Sequence, residues 1–348
     1  MAGVKDKEEK RVWIDSQTEE EILKGIETAK DLSEYDNLCE AAYLRAKEDY
    51  LMGINFSRVL TLKYGRNISN YLKMDRAVVS VGRVMTCVLG MVVRREREIR
   101  AFVKTPFFKV IGKTANFDAE WRVCEQSKYY NTPYLYKDNG FVDKEKAQEL
   151  VTFLSDPLPA QAVIEKIERK KETKNPPLLF NLAEIQNECA KQFKISPDET
   201  LNIIQELYEK KLVTYPRTDA RVLSTAVSKE IYKNISGLKG FGPLGSFAEE
   251  VLEMGSYKGI AKTRYVNDKQ ITDHYAIVPT GQGLGALRSL NPLSAKVYEV
   301  IGRRFLSIFY PAAVYQKTAL DLVRGNEHFF ANFKVLTEQG YLKVADVS

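Results

Sequence analysis

At 348 residues the chain is longer than one hydrophobic core usually serves, so two or three domains are expected. Its 44% hydrophobic and 28% charged composition is that of a soluble globular protein, and no apolar run reaches the ~18 residues that cross a bilayer. The net charge of +6 is mild, and the charged start "MAGVKDKEEKR" has no signal-peptide centre, so a membrane is excluded and the cytoplasm is expected.

The first predicted elements are a strand-like run at "RVWID" and a helix whose capping box is Ser16-x-x-Glu19. A second helix starts near Leu38, with Arg45 and Asp49 four apart on one face, where they read equally as a surface ion pair. A third runs from about Gly82 to Arg100, and its "VMTCVLGMVV" is expected to be buried. Between Val81 and Lys113 eight Lys/Arg face two Glu, a balance suited to nucleic acid, although charge alone favours a solvated helix face. The four cysteines are dozens of residues apart with no C-x-x-C clip, so buried free thiols are expected.

At "TPFFKVIGKTANFDAEWRV" β-branched and aromatic residues broken by Gly and Asn predict strands and a new domain. Prolines then bracket a charged strand or helix near residues 157–177. In "SPDETLNIIQELYEKK", Ser196 caps a helix with Pro197 at its first position, and Leu201, Ile204, Leu207 and Tyr208 form its buried stripe. "GFGPLG" (240–245) is a literal G-x-G-x-x-G without a preceding strand, and Pro243 marks it as a loop. A helix at Leu293–Phe309 and a hairpin with "RGNE" as its turn close the chain.

Between the capped helix and that loop lies "LVTYPRTDAR". A tyrosine hydroxyl, with pKa ~10, attacks phosphorus only if its charge is stabilised or its proton removed. Pro216 fixes the chain after Tyr215, Arg217 can neutralise a phosphoryl group under attack, and Thr218 and Asp219 offer a phosphate donor and an orienting acceptor. An isolated Tyr-Pro is more often a core tyrosine followed by a turn.

The longer pattern changes the balance. "LYEKKLVTYPRTDAR" resembles the active-site segment of type IA DNA topoisomerases, topoisomerase III branch, whose pattern is LYE-x-x-x-[IL]-TY-P-RTDS. "DKQITDHYAIVPTG" resembles its DHHAI-x-PTG, "SVGRVMTCVLGMVVRREREIRAF" its S-x-GRVQTP helix, and "YLRAKEDYLMGINFSRVLT" its R-x-x-x-D-x-[LV]-x-G-x-N-x-SR helix. The resemblance covers about residues 11 to 343 and implies catalytic roles for Tyr215, Arg217 and His274. It implies DNA contacts for Arg45, Asp49, Arg58, Ser80, Arg83, Thr218 and Asp219. Arg83 after Gly82 at a helix start also suits phosphate on physical grounds. Departures are Ala220 for the serine of RTDS, Met85 for the glutamine of GRVQ, and Tyr275 for the second histidine of DHHAI.

The implied fold is a multidomain α/β (α+β) chain. The end of a TOPRIM domain and a helical DNA-binding domain, together at 11–100, would carry a β-rich arch at 101–157 and 282–348, with an inserted helical catalytic-tyrosine domain at 158–281. The implied activity is ATP-independent single-strand cutting and rejoining of single-stranded or underwound DNA in a bacterial cytoplasm. The family uses magnesium held by an N-terminal TOPRIM domain with a D-x-D-x-E cluster. No D-x-D occurs here, so the acidic ligands are expected to be absent, no metal site is assigned, and a TOPRIM-containing chain is an expected partner. The alternative is a non-catalytic, single-stranded DNA-binding remnant using aromatic stacking. Paired-histidine nucleases are disfavoured because His274 and His328 lie far apart and no His-x-His exists, and tyrosine recombinases because the order of the residues is wrong.

Overall fold

The computed structural model describes residues 7–14 and 19–345. The first elements are β1 (Lys10–Arg11), α1 (Glu19–Glu27), β2 (Lys30–Asp31), α2 (Asp36–Leu72) and α3 (Arg83–Arg100). The expected cap Ser16 lies outside the described residues. Among the described residues no helix is long and apolar enough to cross a membrane. Residues 7–13 with Thr28–Pro106 form one compact unit, and residues 14, 19–27 and 107–345 form a second.

The first unit is built on α2, which ends where Lys73 adopts φ 54° and Met74 N–H donates back to Ser69 C=O at 3.0 Å. The chain then returns extended along the helix it has left. Ala77 N–H donates to Ser69 Oγ (2.7 Å), Val79 N–H to Thr61 Oγ1 (2.9 Å) and Val81 N–H to Ser57 Oγ (2.8 Å). Alternate amides of the returning segment thus meet hydroxyls spaced along one helical stripe. Gly65 completes that stripe because a Cβ there would lie 2.9 Å from Ala77 C=O. The stripe delivers Gly82, in extended conformation, as the N-cap of α3.

Contrary to the sequence reading, α3 has no buried residue; Val84, Met85, Leu89 and Met91 are exposed. A unit with two long helices cannot enclose apolar residues on every side of one of them. Cys39 and Cys87 are exposed and Cys124 half-buried, so the expected burial holds for Cys189 alone.

In the second unit come β3 (Ile111–Lys113), β4 (Asp118–Arg122), β5 (Leu135–Lys137), β6 (Gly140–Phe141), α4 (Lys144–Ser155) and β7 (Val163–Lys174). They are followed by α5 (Leu182–Phe193), α6 (Pro197–Glu209), α7 (Thr225–Gly237), α8 (Gly242–Met254), α9 (Pro292–Ser307), β8 (Ala313–Arg324) and β9 (Glu327–Glu338). An antiparallel sheet in the order β3-β4-β9-β8-β7 packs Trp121, Leu322 and Phe329 against Leu150 and Leu154 of α4. The hairpin turns at Gly325 and Asn326, with φ 62° at the glycine, the position a type II′ turn reserves for it.

Residues 179–310 supply most of a second core, in which Ile204, Leu207, Ile231, Val251, Val297 and Phe305 meet. Two elements pack across the limits expected from sequence. β7, expected inside 158–281, pairs with β8 from Val163↔Val323 to Lys174↔Ala313, and α9, expected in 282–348, packs into the helical core. Backbone pairing and burial decide these placements, and the prolines at the bracket do not. "GFGPLG" is likewise not a loop: α8 opens at Gly242 with Pro243 in its first turn, where a missing N–H costs nothing.

Candidate active site

Tyr215 sits where three sequence-distant segments are laced by backbone bonds. The cap of α6 forms as expected, Ser196 Oγ accepting from Glu199 N–H at 3.1 Å. After α6 the chain turns at Lys211 (φ 61°), and Leu212–Thr214 then runs beside Ala276–Thr280. Thr280 N–H donates to Leu212 C=O and Thr214 N–H to Val278 C=O, both at 3.0 Å. The Thr214 hydroxyl donates to Ala276 C=O (2.9 Å) and accepts from Val278 N–H (3.0 Å). Leu212 and Val213 are buried, so the apolar run before the tyrosine is an anchor in the helical core.

Pro216 is buried, and its carbonyl accepts from Thr218 N–H at 3.1 Å, a turn tighter than a β-turn. The turn leaves Tyr215 half-buried and Arg217 and Asp219 exposed, while Thr218 and Ala220 go inside. The far side of the loop is held by Leu182 N–H on Thr218 C=O (3.2 Å), Asn181 Nδ2 on Asp219 C=O (3.1 Å) and Ala276 N–H on Val222 C=O (3.0 Å).

The rings converge. The centroid of Tyr215 lies 4.5 Å from that of His274, with a 47° tilt, and 5.4 Å from that of Tyr208, edge to face at 80°. Both separations fall in the range of favourable aromatic contacts. Tyr208, assigned from sequence to the helical stripe, is half-buried and also forms one wall for the nucleophile candidate. Its signal was its place seven residues before Tyr215, across one turn. The segment carrying His274 is locked at its other end by Gly281 (φ 76°), where a Cβ would lie 2.7 Å from Lys233 C=O of α7.

Thr218 departs from its expected role as a phosphate donor. It is 6% exposed, and its hydroxyl donates to His274 C=O at 2.6 Å while accepting from Ala220 N–H at 3.1 Å. Its one proton is committed to positioning the His274 segment. Burial pushes the Tyr275 hydroxyl up to about 12, so this replacement for a histidine does not exchange protons near neutrality.

The remaining candidates lie in the first unit. Arg45, Asp49, Arg58, Ser80 and Arg83 are all exposed. Arg45 and Asp49 line one groove with Leu38, Ala41, Ala42 and Ala46 of α2. The carboxylate of Asp49 is nonetheless held by Arg83, not by Arg45: Nε lies 2.8 Å from Oδ1 and Nη2 2.9 Å from Oδ2. A fork meeting a carboxylate with two parallel bonds is geometrically better than a pair along one helix. Arg83 is thereby aimed from the start of α3, and a phosphate there must share it with Asp49. Sequence spacing could not show this, because the partners are 34 residues apart.

A magnesium site needs several hard oxygen donors converging on one point. Among the described residues, the His/Cys/Asp/Glu side chains close enough to share an ion are Glu165, Asp321 and His328, none of which belongs to the tyrosine loop. The residues around Tyr215 therefore do not fit the metal that the resemblance implies, and no chemical step is routed through it.

A half-buried tyrosine thus rests against a tilted histidine ring, on a loop presenting an arginine and an aspartate, within a two-core α+β unit. A family model described as DNA topoisomerase matches residues 33–348, and the chain belongs to this family, the type IA DNA topoisomerases. It is 32% identical over 345 residues to DNA topoisomerase 3 of Bacillus subtilis (strain 168), which covers 97% of this chain and 43% of that protein. DNA topoisomerase 3 of Bacillus licheniformis is 31% identical over 340 residues, covering 97% and 42%. The chain thus spans less than half the length of these relatives. Full-length topoisomerase I from Thermotoga maritima shares the fold, with a TM-score of 0.63 and 22% identity over 97% of this chain and 50% of that one.

Proposed function

We propose that this chain is the tyrosine-bearing part of a type I DNA topoisomerase acting on single-stranded or underwound DNA in the cytoplasm. The observation that carries the reading is the position of Tyr215: its ring rests on His274 at 4.5 Å and is only half-buried. A tyrosine serving the core alone would be enclosed like Tyr298.

In the proposed reaction the Tyr215 oxygen attacks phosphorus, the bond from phosphorus to the 3′-oxygen breaks, and the 5′-phosphate becomes joined to the tyrosine. The phenol loses its proton and the departing 3′-oxygen gains one, so a strand end is freed with no water or ATP consumed. Religation is the same exchange reversed. Arg217, exposed two residues on, offsets charge on the phosphoryl oxygens, and Asp219 orients it. His274 orients the Tyr215 ring and the phosphate, with Thr218 holding the histidine's backbone. Arg45, Asp49, Arg58, Ser80 and Arg83 would carry the strand along the first unit, by phosphate contacts that set position more than sequence. The domain division we propose keeps the helical DNA-binding part, the arch and an inserted catalytic domain, with the insert beginning after β7.

Magnesium, where the whole enzyme uses it, would come from a TOPRIM-containing chain. The exposed apolar residues Val84, Met85, Leu89 and Met91 of α3 support a covering partner of this kind. The reading is tested by incubating the chain, with and without a TOPRIM polypeptide and magnesium, with labelled single-stranded oligonucleotide and then relaxing supercoiled plasmid. The expected results are a covalent band absent from Tyr215→Phe and relaxation only when both polypeptides are present. Binding without a covalent band under either condition would favour the non-catalytic reading.

A further inference from the structure

The sheet carries a second convergence of reactive side chains, remote in role from the tyrosine loop. Trp121, Leu322 and Phe329 occupy the sheet face that packs on α4. The residues that alternate with them point to the other face, among them Asp321, paired with Phe330, and His328, paired with Val323. On β7 the register shifts between Ile164, opposite Leu322, and Lys166, opposite Asp321, so Glu165 is the extra residue of a bulge. Bulges re-aim side chains, and this one sets Glu165 and Lys166 together against Asp321.

Three donors result. His328 Nδ1 lies 2.9 Å from Asp321 Oδ1 and 3.9 Å from Glu165 Oε2, and the set spans no more than 4.8 Å. An ion bound at ~2.0–2.2 Å from each donor needs donor pairs no further apart than about 4.4 Å. The two distances to the histidine satisfy that, and Glu165, with its side chain 61% exposed, is free to close the third. Asp321 and His328 are each 18% exposed, a half-built pocket for two of the donors. Phe330 flanks the imidazole at 6.2 Å, its ring nearly parallel at 18°. The ammonium of Lys166, which would otherwise occupy the carboxylates, is drawn along the strand to Glu168 Oε1 at 2.6 Å.

We propose that Glu165, Asp321 and His328 form a binding site for a borderline divalent transition-metal ion, Zn²⁺ in the first instance, tying the bulged start of β7 to the β8–β9 hairpin. One imidazole with two carboxylates suits Zn²⁺, Co²⁺ or Ni²⁺ and not the all-oxygen preference of Mg²⁺ or Ca²⁺. Coordination through Nδ1 takes the place of its hydrogen bond to Asp321 and leaves the ring proton on Nε2.

The test uses the full chain, stripped with a chelator that is then removed, its accessible thiols alkylated, and titrated with Zn²⁺ by calorimetry and Co²⁺ by absorbance. The expected result is one ion per chain, with a Co²⁺ spectrum lacking thiolate charge transfer and a melting temperature raised by Zn²⁺. His328→Gln and Asp321→Asn should each weaken binding about tenfold or more, while His274→Gln, which removes the only other histidine, leaves it unchanged. Glu165→Gln, at the most exposed position of the three, keeps the test decisive if the other variants fail to fold, and must also weaken binding. Absence of saturable binding, or affinity unchanged in Glu165→Gln, would overturn the site.

Discussion

A threonine hydroxyl donates one hydrogen bond, and that of Thr218 goes to His274 C=O at 2.6 Å inside the loop. Thr218→Val keeps the shape and removes that bond, leaving the His274 carbonyl and Ala220 N–H to find other partners. Loss of about 1–3 kcal/mol is expected by thermal or denaturant unfolding, with a matching fall in adduct formation as the Tyr215–His274 contact loosens. Arg83 presents the opposite case. Its pair with Asp49 leaves both side chains 47% exposed, so Arg83→Ala should change stability by no more than about 1 kcal/mol. The same variant should bind single-stranded oligonucleotide more weakly, and the slope of log affinity against log salt should shrink by about 0.7, the share of one phosphate contact. The motif residues were legible because they are short strings with chemistry of their own. Pairings such as Asp49–Arg83 and Thr218–His274 were not, since each joins residues that only the fold brings together.

At the scale of elements, the returning segment 77–81 depends on hydroxyls that α2 holds out to it. Ser69→Ala leaves the buried Ala77 N–H without its partner, and a cost of about 1–3 kcal/mol is expected. Gly65→Ala should disturb the same segment through contact, its Cβ falling 2.9 Å from Ala77 C=O. Hydrogen exchange at Ala77, Val79 and Val81 reads both variants, and faster exchange confined to these amides is expected. The S-x-x-x-T-x-x-x-G-x-x-x-S spacing from Ser57 to Ser69 was visible in the sequence, but its meaning required knowing that the chain doubles back. Helices with clear caps, such as that beginning at Ser196, were legible to within a residue or two, as was the β8–β9 hairpin. The limits of the inserted block were not, because β7 is charged along its length and its membership of the sheet rests on backbone pairing with β8.

For the molecule as a whole, the charges of the sheet set a pH limit. Lys317 and Lys334 lie directly opposite each other on β8 and β9, an arrangement that repels on its own. Glu172 on β7 is bonded to both ammonium groups, and these bonds hold its carboxyl down at about 2 from an ordinary 4.5. A carboxyl whose folded pKa is depressed contributes its stability above the unfolded value and loses it as pH falls toward the folded one. The melting temperature should therefore decline between about 4.5 and 2 through this group, and Glu172→Gln should flatten that part of the profile while lowering the plateau above it.

The most direct measurement is the covalent attachment point. The chain is incubated with single-stranded oligonucleotide, a TOPRIM polypeptide and magnesium, trapped in denaturant, digested with nuclease and protease, and sequenced by mass spectrometry. A nucleotide joined through its 5′-phosphate to the Tyr215 oxygen is the expected result, with no adduct in Tyr215→Phe. Attachment to another residue, or an adduct that survives Tyr215→Phe, would contradict the role given to this tyrosine.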